Sequence, residues 1–200
     1  MFRTFGVRSV TMDEIAGSLG ISKKTVYAYF PTKVKLIEAT ALYVFNEISK
    51  GIEEIRSKFL NPIEEHFVIK DFVLENLHTE MSSPYFQLQK HYPQIFTAVR
   101  QKQQELLQNL ITENLTRGVE KKFYQDDIMI SFVCRIYFVG IMGIKDRDLF
   151  PQQEFSGKIL ADRHLEYHLK AIVTEKGLRI LEEILLKQEP KLYYRIYLDL

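Results

Sequence analysis

Thr11-Met12-Asp13-Glu14-Ile15-Ala16-Gly17-Ser18-Leu19-Gly20-Ile21-Ser22-Lys23-Lys24-Thr25-Val26-Tyr27-Ala28-Tyr29-Phe30-Pro31-Thr32-Lys33 predicts two short helices joined by a tight turn, then the opening of a third. Thr11 and Glu14 stand three apart, the pattern in which each side chain satisfies a free backbone N–H at a helix start. Ile15, Ala16 and Leu19 share one apolar face at helical spacing. Gly20 ends that helix, because glycine takes a left-handed conformation at little cost. Ser22 caps the next helix, which turns Val26 and Phe30 inward. Lys23, Lys24, Thr25, Tyr27, Ala28 and Tyr29 then face outward.

Two helices of about two turns around a glycine-containing turn fit a helix-turn-helix, whose second helix enters the DNA major groove. The outward chemistry suits that task. Lysines pair with phosphates or with guanine O6 and N7, threonine donates to phosphate, and tyrosine carries a hydroxyl on a rigid arm. The competing reading is a helical hairpin whose basic face is merely solvated, and spacing alone leaves it open.

The same stretch resembles the tetracycline-repressor (TetR) family of bacterial transcription regulators. The matching residues are Phe5-Gly6, Val10-Thr11, Ile15-Ala16, Leu19-Gly20-Ile21-Ser22, Thr25-Val26-Tyr27-Ala28-Tyr29-Phe30, and Lys33 with Leu36. They span about the first 37 residues; beyond them only length and helical character match. The resemblance implies an all-α protein: a three-helix DNA-binding head, residues 1–45, and a larger helical body, residues 46–200, for effector binding and dimerisation. Lys23, Lys24, Tyr27 and Ala28 are the candidates for reaching base edges. Thr11, Ser22, Thr25, Tyr29 and Lys33 are the candidates for positioning the DNA backbone. The family's first helix is longer than residues 1–9 allow, so this chain either starts inside that helix or has a short one. Phe2 and Phe5 are expected in the core of the head.

Charge supports a local anionic partner. Residues 1–35 carry six basic residues against two acidic, +4, while the remainder carries 21 basic against 24 acidic, −3. The near-neutral total of +1 conceals that asymmetry. A hydrophobic content of 46% suffices for a substantial core. Cys134, the single cysteine, excludes an internal disulfide framework and reads as a small buried residue. No apolar run reaches the ~20 residues of a membrane span, and no signal peptide is visible, so the expected location is cytoplasmic.

Thr32 caps a long helix expected to reach Ser57, joining head to body. Lys33 and Lys35 stand in its first turn against the usual preference for acids, a cost that a phosphate there would offset. Further helices are expected over 63–79, 85–90, 94–119, 125–144 and 160–188, the last divided in two if Thr174 caps a second piece. Residues 145–159 read as a loop. The apolar tail 191–200 has no evident place.

No glycine-rich phosphate loop, nucleophile elbow or metal motif is present, so no enzyme, cofactor or metal is expected. His164 and His168, four apart, read as two surface histidines. Most body aromatics fill the core, but ligand pockets also favour aromatic walls. The resemblance implies an effector pocket among helices matching 62–145. Phe86, Phe96, Phe132 and Tyr137 are the pocket candidates, for a small apolar or aromatic effector. The broad apolar surfaces of 125–144 and 160–188 exceed what one chain can bury, so a homodimer through them is expected. It would set two recognition helices about 34 Å apart for a palindromic operator. The reading is a ligand-released repressor. Its rivals are a DNA-binding structural or division-control protein of the same fold without effector, and a carrier or enzyme whose head is vestigial.

Overall fold

Helix starts and stops written into the sequence divide the chain into ten helices among the described residues. The computed structural model describes residues 1–76, 84–151 and 153–188. The head comprises α1 (Phe2–Phe5), α2 (Met12–Leu19), α3 (Lys23–Tyr29) and the start of α4 (Lys33–Arg56). The body adds α5 (Pro62–Asn76), α6 (Pro84–His91), α7 (Pro93–Glu120), α8 (Ile130–Gly143), α9 (Gly157–Ile172) and α10 (Glu175–Gln188). The end of the helix expected over 63–79 and the tail 191–200 lie outside the described residues.

The local signals act as the sequence implies. Thr11 and Glu14 close a reciprocal capping box, and Gly20 ends α2 in the left-handed region at φ 66°. Ser22 accepts from the Thr25 N–H, and Thr32 from the Lys35 N–H, so each caps its helix. The helical region after residue 156 is two helices: Thr174 accepts from the Gly177 N–H and starts α10 immediately after α9.

The helix expected from Gln125 begins only at Ile130. Tertiary contacts hold its start out of the helix, ahead of a turn at 126–127: Gln125 N–H donates to the Ile172 carbonyl at 2.9 Å, and Tyr124 bridges Val173. Gly157 belongs to α9, not to the preceding loop, because Ser156 caps that helix.

Three apolar clusters organise the packing. The smallest, Met12, Ala16 and Val26 with Phe30 and Leu36, locks α2 and α3 onto α4. It ends before Leu19, which is exposed rather than inward, and Phe5 is likewise outside the core. A second cluster crosses between head and body, joining Phe2, Val7, Val10 and Ile37 to Leu88, Ile95 and Val99. The largest fills the body with residues of α5 and α7–α10, including Phe67, Leu115, Tyr137, Leu165, Leu169 and Leu181.

A buried polar network pins α5 to α7. Asn114 donates to the Pro62 carbonyl (2.9 Å) and to Glu65 (2.8 Å), accepts from the Tyr124 hydroxyl (3.0 Å), and Arg117 pairs with the same Glu65. A buried carboxylate is tolerable there because a cation and an amide satisfy one of its oxygens.

Much of the apolar surface of 160–188 is covered within the chain, since Leu165, Leu169, Ile172 and Leu181 turn into the body core. α8 differs. It buries Val133, Cys134 and Tyr137 but leaves Phe132, Ile136 and Val139 exposed, with Met129 just before them. These four recur at helical spacing and form one uncovered apolar stripe.

Candidate nucleic-acid interface

α3 has one buried residue, Val26, and presents Lys23, Lys24, Thr25, Tyr27, Ala28 and Tyr29 to solvent. The outward set expected from the sequence is therefore gathered on one exposed helix. Tyr29 is 77% exposed and Tyr27 46%, far more than core aromatics tolerate. Both rings are available to a partner surface.

The cap chemistry leaves a donor at the start of α3. Ser22 and Thr25 hydroxyls share one hydrogen bond of 2.8 Å, and Ser22 also accepts from the Thr25 amide. Two hydroxyls sharing one bond retain one hydrogen, which can be given to a phosphate. Thr11 is occupied differently. Its N–H and its hydroxyl both donate to Glu14, and it accepts in return from the Glu14 amide. Those bonds, the backbone one first, hold the Glu14 carboxyl below its ordinary pKa.

The lysines are not equivalent. Lys23 pairs with Asp13 across the turn, tying α3 to α2 while both remain more than half exposed. Lys24 carries its charge on the open face. Lys33, expected to meet phosphate, also has a partner within the chain. Its ammonium donates to the Arg8 carbonyl at 2.9 Å, and partial burial lowers its pKa against the opposing pull of Glu14. Lys33 thus fastens the start of α4 to the turn after α1. Lys35 pairs with Glu38 on its own helix.

The four aromatics expected to line an effector pocket do not converge. Phe86 and Phe132 are exposed, Phe96 packs on the cluster between head and body, and only Tyr137 lies in the body core. Tertiary packing, which helical spacing does not encode, separates them. Around Tyr137 the structure gathers three imidazoles: ring centroids of His66, His164 and His168 lie 5.8, 5.2 and 4.6 Å from its own. His168 is buried and His164 half-buried, so the surface reading of this pair is overturned. The Nε2 atoms of His66 and His168 are buried without a hydrogen-bond partner. Burial drives these imidazoles to the neutral form, with pKa values of about 4 for His66 and about 3 for His168.

No motif in the sequence singles out His66, although it lies three residues after Ile63 and so shares its inward side of α5. Among the described residues no group of three His, Cys, Asp or Glu side chains is arranged to hold a metal, and no helix is long and apolar enough to cross a membrane.

Residues 1–40 match the family described as bacterial regulatory proteins, tetR family. No curated protein matches the chain. Among solved structures, a transcriptional regulator from Cytophaga hutchinsonii is similar with a TM-score of 0.69 at 18% identity, over 86% of this chain and 93% of that one. A TetR transcription regulator from Haloarcula marismortui gives 0.70 at 17%, over 86% and 92%. SmeT, the repressor of the Stenotrophomonas maltophilia multidrug efflux pump SmeDEF, gives 0.61 at 13%, over 88% and 86%. At these identities the likeness is one of fold.

Proposed function

Residues 1–40 place this chain in the tetR family of bacterial regulatory proteins, and we propose that it is a homodimeric, operator-specific repressor released by a small-molecule effector. The single observation that carries the DNA-reading part is α3: one residue anchored in the head and, on its open side, five polar, basic or aromatic residues together with Ala28. In this reading residues 1–45 are the head and 46–200 the effector and dimer body. Lys24, Tyr27 and Ala28 reach base edges, with Lys23 reading from its tether to Asp13. Ser22, Thr25, Tyr29 and Lys33 meet phosphates, as does Thr11 at the start of α2.

The uncovered stripe Met129, Phe132, Ile136 and Val139 on α8 supports the dimer, because two copies related by a two-fold axis would cover it. The imidazoles around Tyr137 support an effector seat in the body. Buried nitrogens without partners favour a ligand that supplies hydrogen bonds, and a neutral aromatic molecule suits imidazoles that are themselves neutral. Release is a population shift: the effector favours a head spacing that no longer matches successive major grooves. A second reading, a DNA-binding protein of this fold without effector, gains support from the failure of Phe86, Phe96, Phe132 and Tyr137 to converge.

Selection of bound duplexes from a random pool tests the proposal, repeated with small aromatic metabolites present. The expected result is one palindromic sequence whose capture is lost with one class of metabolite. Enrichment that no metabolite disturbs would favour the effector-free reading. Absence of any enriched sequence would sink both.

A further inference from the structure

We propose that Gln87 is the positioning residue that fixes the orientation of the reading head on the body, and hence the half-site spacing the dimer accepts. The spacing half of this rests on the operator-reading dimer above. The contact itself lies far from α3. The Arg8 N–H donates to Gln87 Oε1 at 3.0 Å, a bond that joins the turn after α1 to α6 across 79 positions of sequence.

Gly6 makes the bond possible. Its backbone stands at φ 82° and ψ 158°, a region that residues with a Cβ rarely enter. A Cβ at Gly6 would also lie 2.2 Å from Gln87 Nε2, so the amide occupies the space that the missing side chain leaves. The carbonyl of the same Arg8 accepts from Lys33 Nζ at 2.9 Å, the first residue of α4. One residue of the head is thus gripped through its N–H by the body and through its C=O by the helix that leads into the body. Three residues later Thr11 caps α2, and α2 carries α3 through Met12, Ala16 and Val26.

The apolar cluster around this joint cannot supply the same control. Phe2, Val7, Val10 and Ile37 packed on Leu88, Ile95 and Val99 hold the head against the body, but burial of apolar surface is non-directional. A hydrogen bond weakens steeply with misalignment, so the Gln87 contact selects one rotation among those the apolar patch allows. Small rotations matter to a dimer. One base-pair step is roughly 3.4 Å, so a displacement of each α3 by about 1.7 Å changes the accepted spacing by one step.

Two variants test this in the full chain. Gln87→Met keeps length but removes the acceptor, and Gln87→Glu keeps it. Residue-resolved amide exchange reads the contact without DNA. In the Met variant the Arg8 amide should exchange roughly five-fold faster or more, the equilibrium weight of one intramolecular hydrogen bond, while the Glu14 amide in the neighbouring cap stays protected. On the selected operator, the Met variant's preference for native spacing over one inserted base pair should fall by a similar factor, with base preference inside each half-site unchanged. The Glu variant should retain both properties. Unchanged Arg8 exchange, or an unchanged spacing profile in a Met variant that has lost Arg8 protection, would overturn the proposal. A wild-type chain that selects no operator would overturn the spacing claim together with the regulator reading, and is recognised before any variant is made.

Discussion

Phe132→Asp should convert the proposed dimer into folded monomers. Phe132 is 58% exposed on α8, beside Ile136 at 48% and Val139 at 62%. Burying an aromatic side chain removes about 150–250 Å² from water, so covering the exposed share of Phe132 removes roughly 90–140 Å². At about 25 cal/mol per Å² this is worth roughly 2–4 kcal/mol per copy, and a two-fold axis repeats it. Interface area converts to affinity with losses, and a buried unpaired aspartate adds a penalty of its own. A dissociation constant weakened by at least about a thousand-fold is the expected result, equivalent to roughly 4 kcal/mol. Sedimentation velocity at micromolar concentration reads the change, and circular dichroism confirms the helical fold. Tyr43→Asp is the control, since Tyr43 is similarly exposed on α4 but lies off the stripe. A well-folded Phe132→Asp protein that remains dimeric would refute the assignment of this face.

Three further outcomes are expected. Burial, aided at His168 by the neighbouring imidazoles, holds the folded pKa values of His66 and His168 at about 4 and about 3, while the unfolded side chains titrate near 6.5. The unfolded chain therefore binds more protons below about pH 6.5, and stability is full above that value and falls as pH drops. Each histidine should account for about 2 kcal/mol of loss between pH 6.5 and 5, measured by denaturant titration; a flat profile would contradict the sealed cluster. Lys24→Ala should weaken operator binding by about 1–3 kcal/mol and relax base preference, read by competition among operator variants. Loss that is equal on all sequences would make Lys24 a phosphate contact instead. Asp13→Asn frees Lys23 from its pair, so affinity at low salt should rise and the log–log salt slope should steepen by about one unit. An unaltered slope would show that Lys23 does not approach the duplex.

The sequence was most legible where structure is decided locally. Thr11, Ser22, Thr32 and Thr174 cap helices as their positions imply, and Gly20 adopts the left-handed turn, because each signal needs only neighbours within four residues. Leu19, Phe5 and Gln125 were misread for the opposite reason. Each has a sensible local pattern that a tertiary fact overrides: a small head whose apolar cluster ends early, or an extended pairing with Val173.

In the site, the outward face of α3 was readable from period and polarity. The pairing of Lys23 with Asp13 and the bond from Lys33 to Arg8 were not, since both depend on how the helices meet. Likewise no spacing rule joins His66 on α5 to the His164 and His168 pair on α9, or Gln87 to Arg8. Charge asymmetry pointed to the head as the proposed binding region; the partners of individual lysines within the chain depend on packing.

Methylation interference on the selected operator tests the central claim most directly, because it reports which groove the protein occupies. If α3 reads DNA in a two-fold dimer, methyl groups on guanine N7 should block binding in two major-groove clusters about one helical turn apart on one face of the duplex. Interference confined to adenine N3 in the minor groove, or scattered without that repeat, would contradict it.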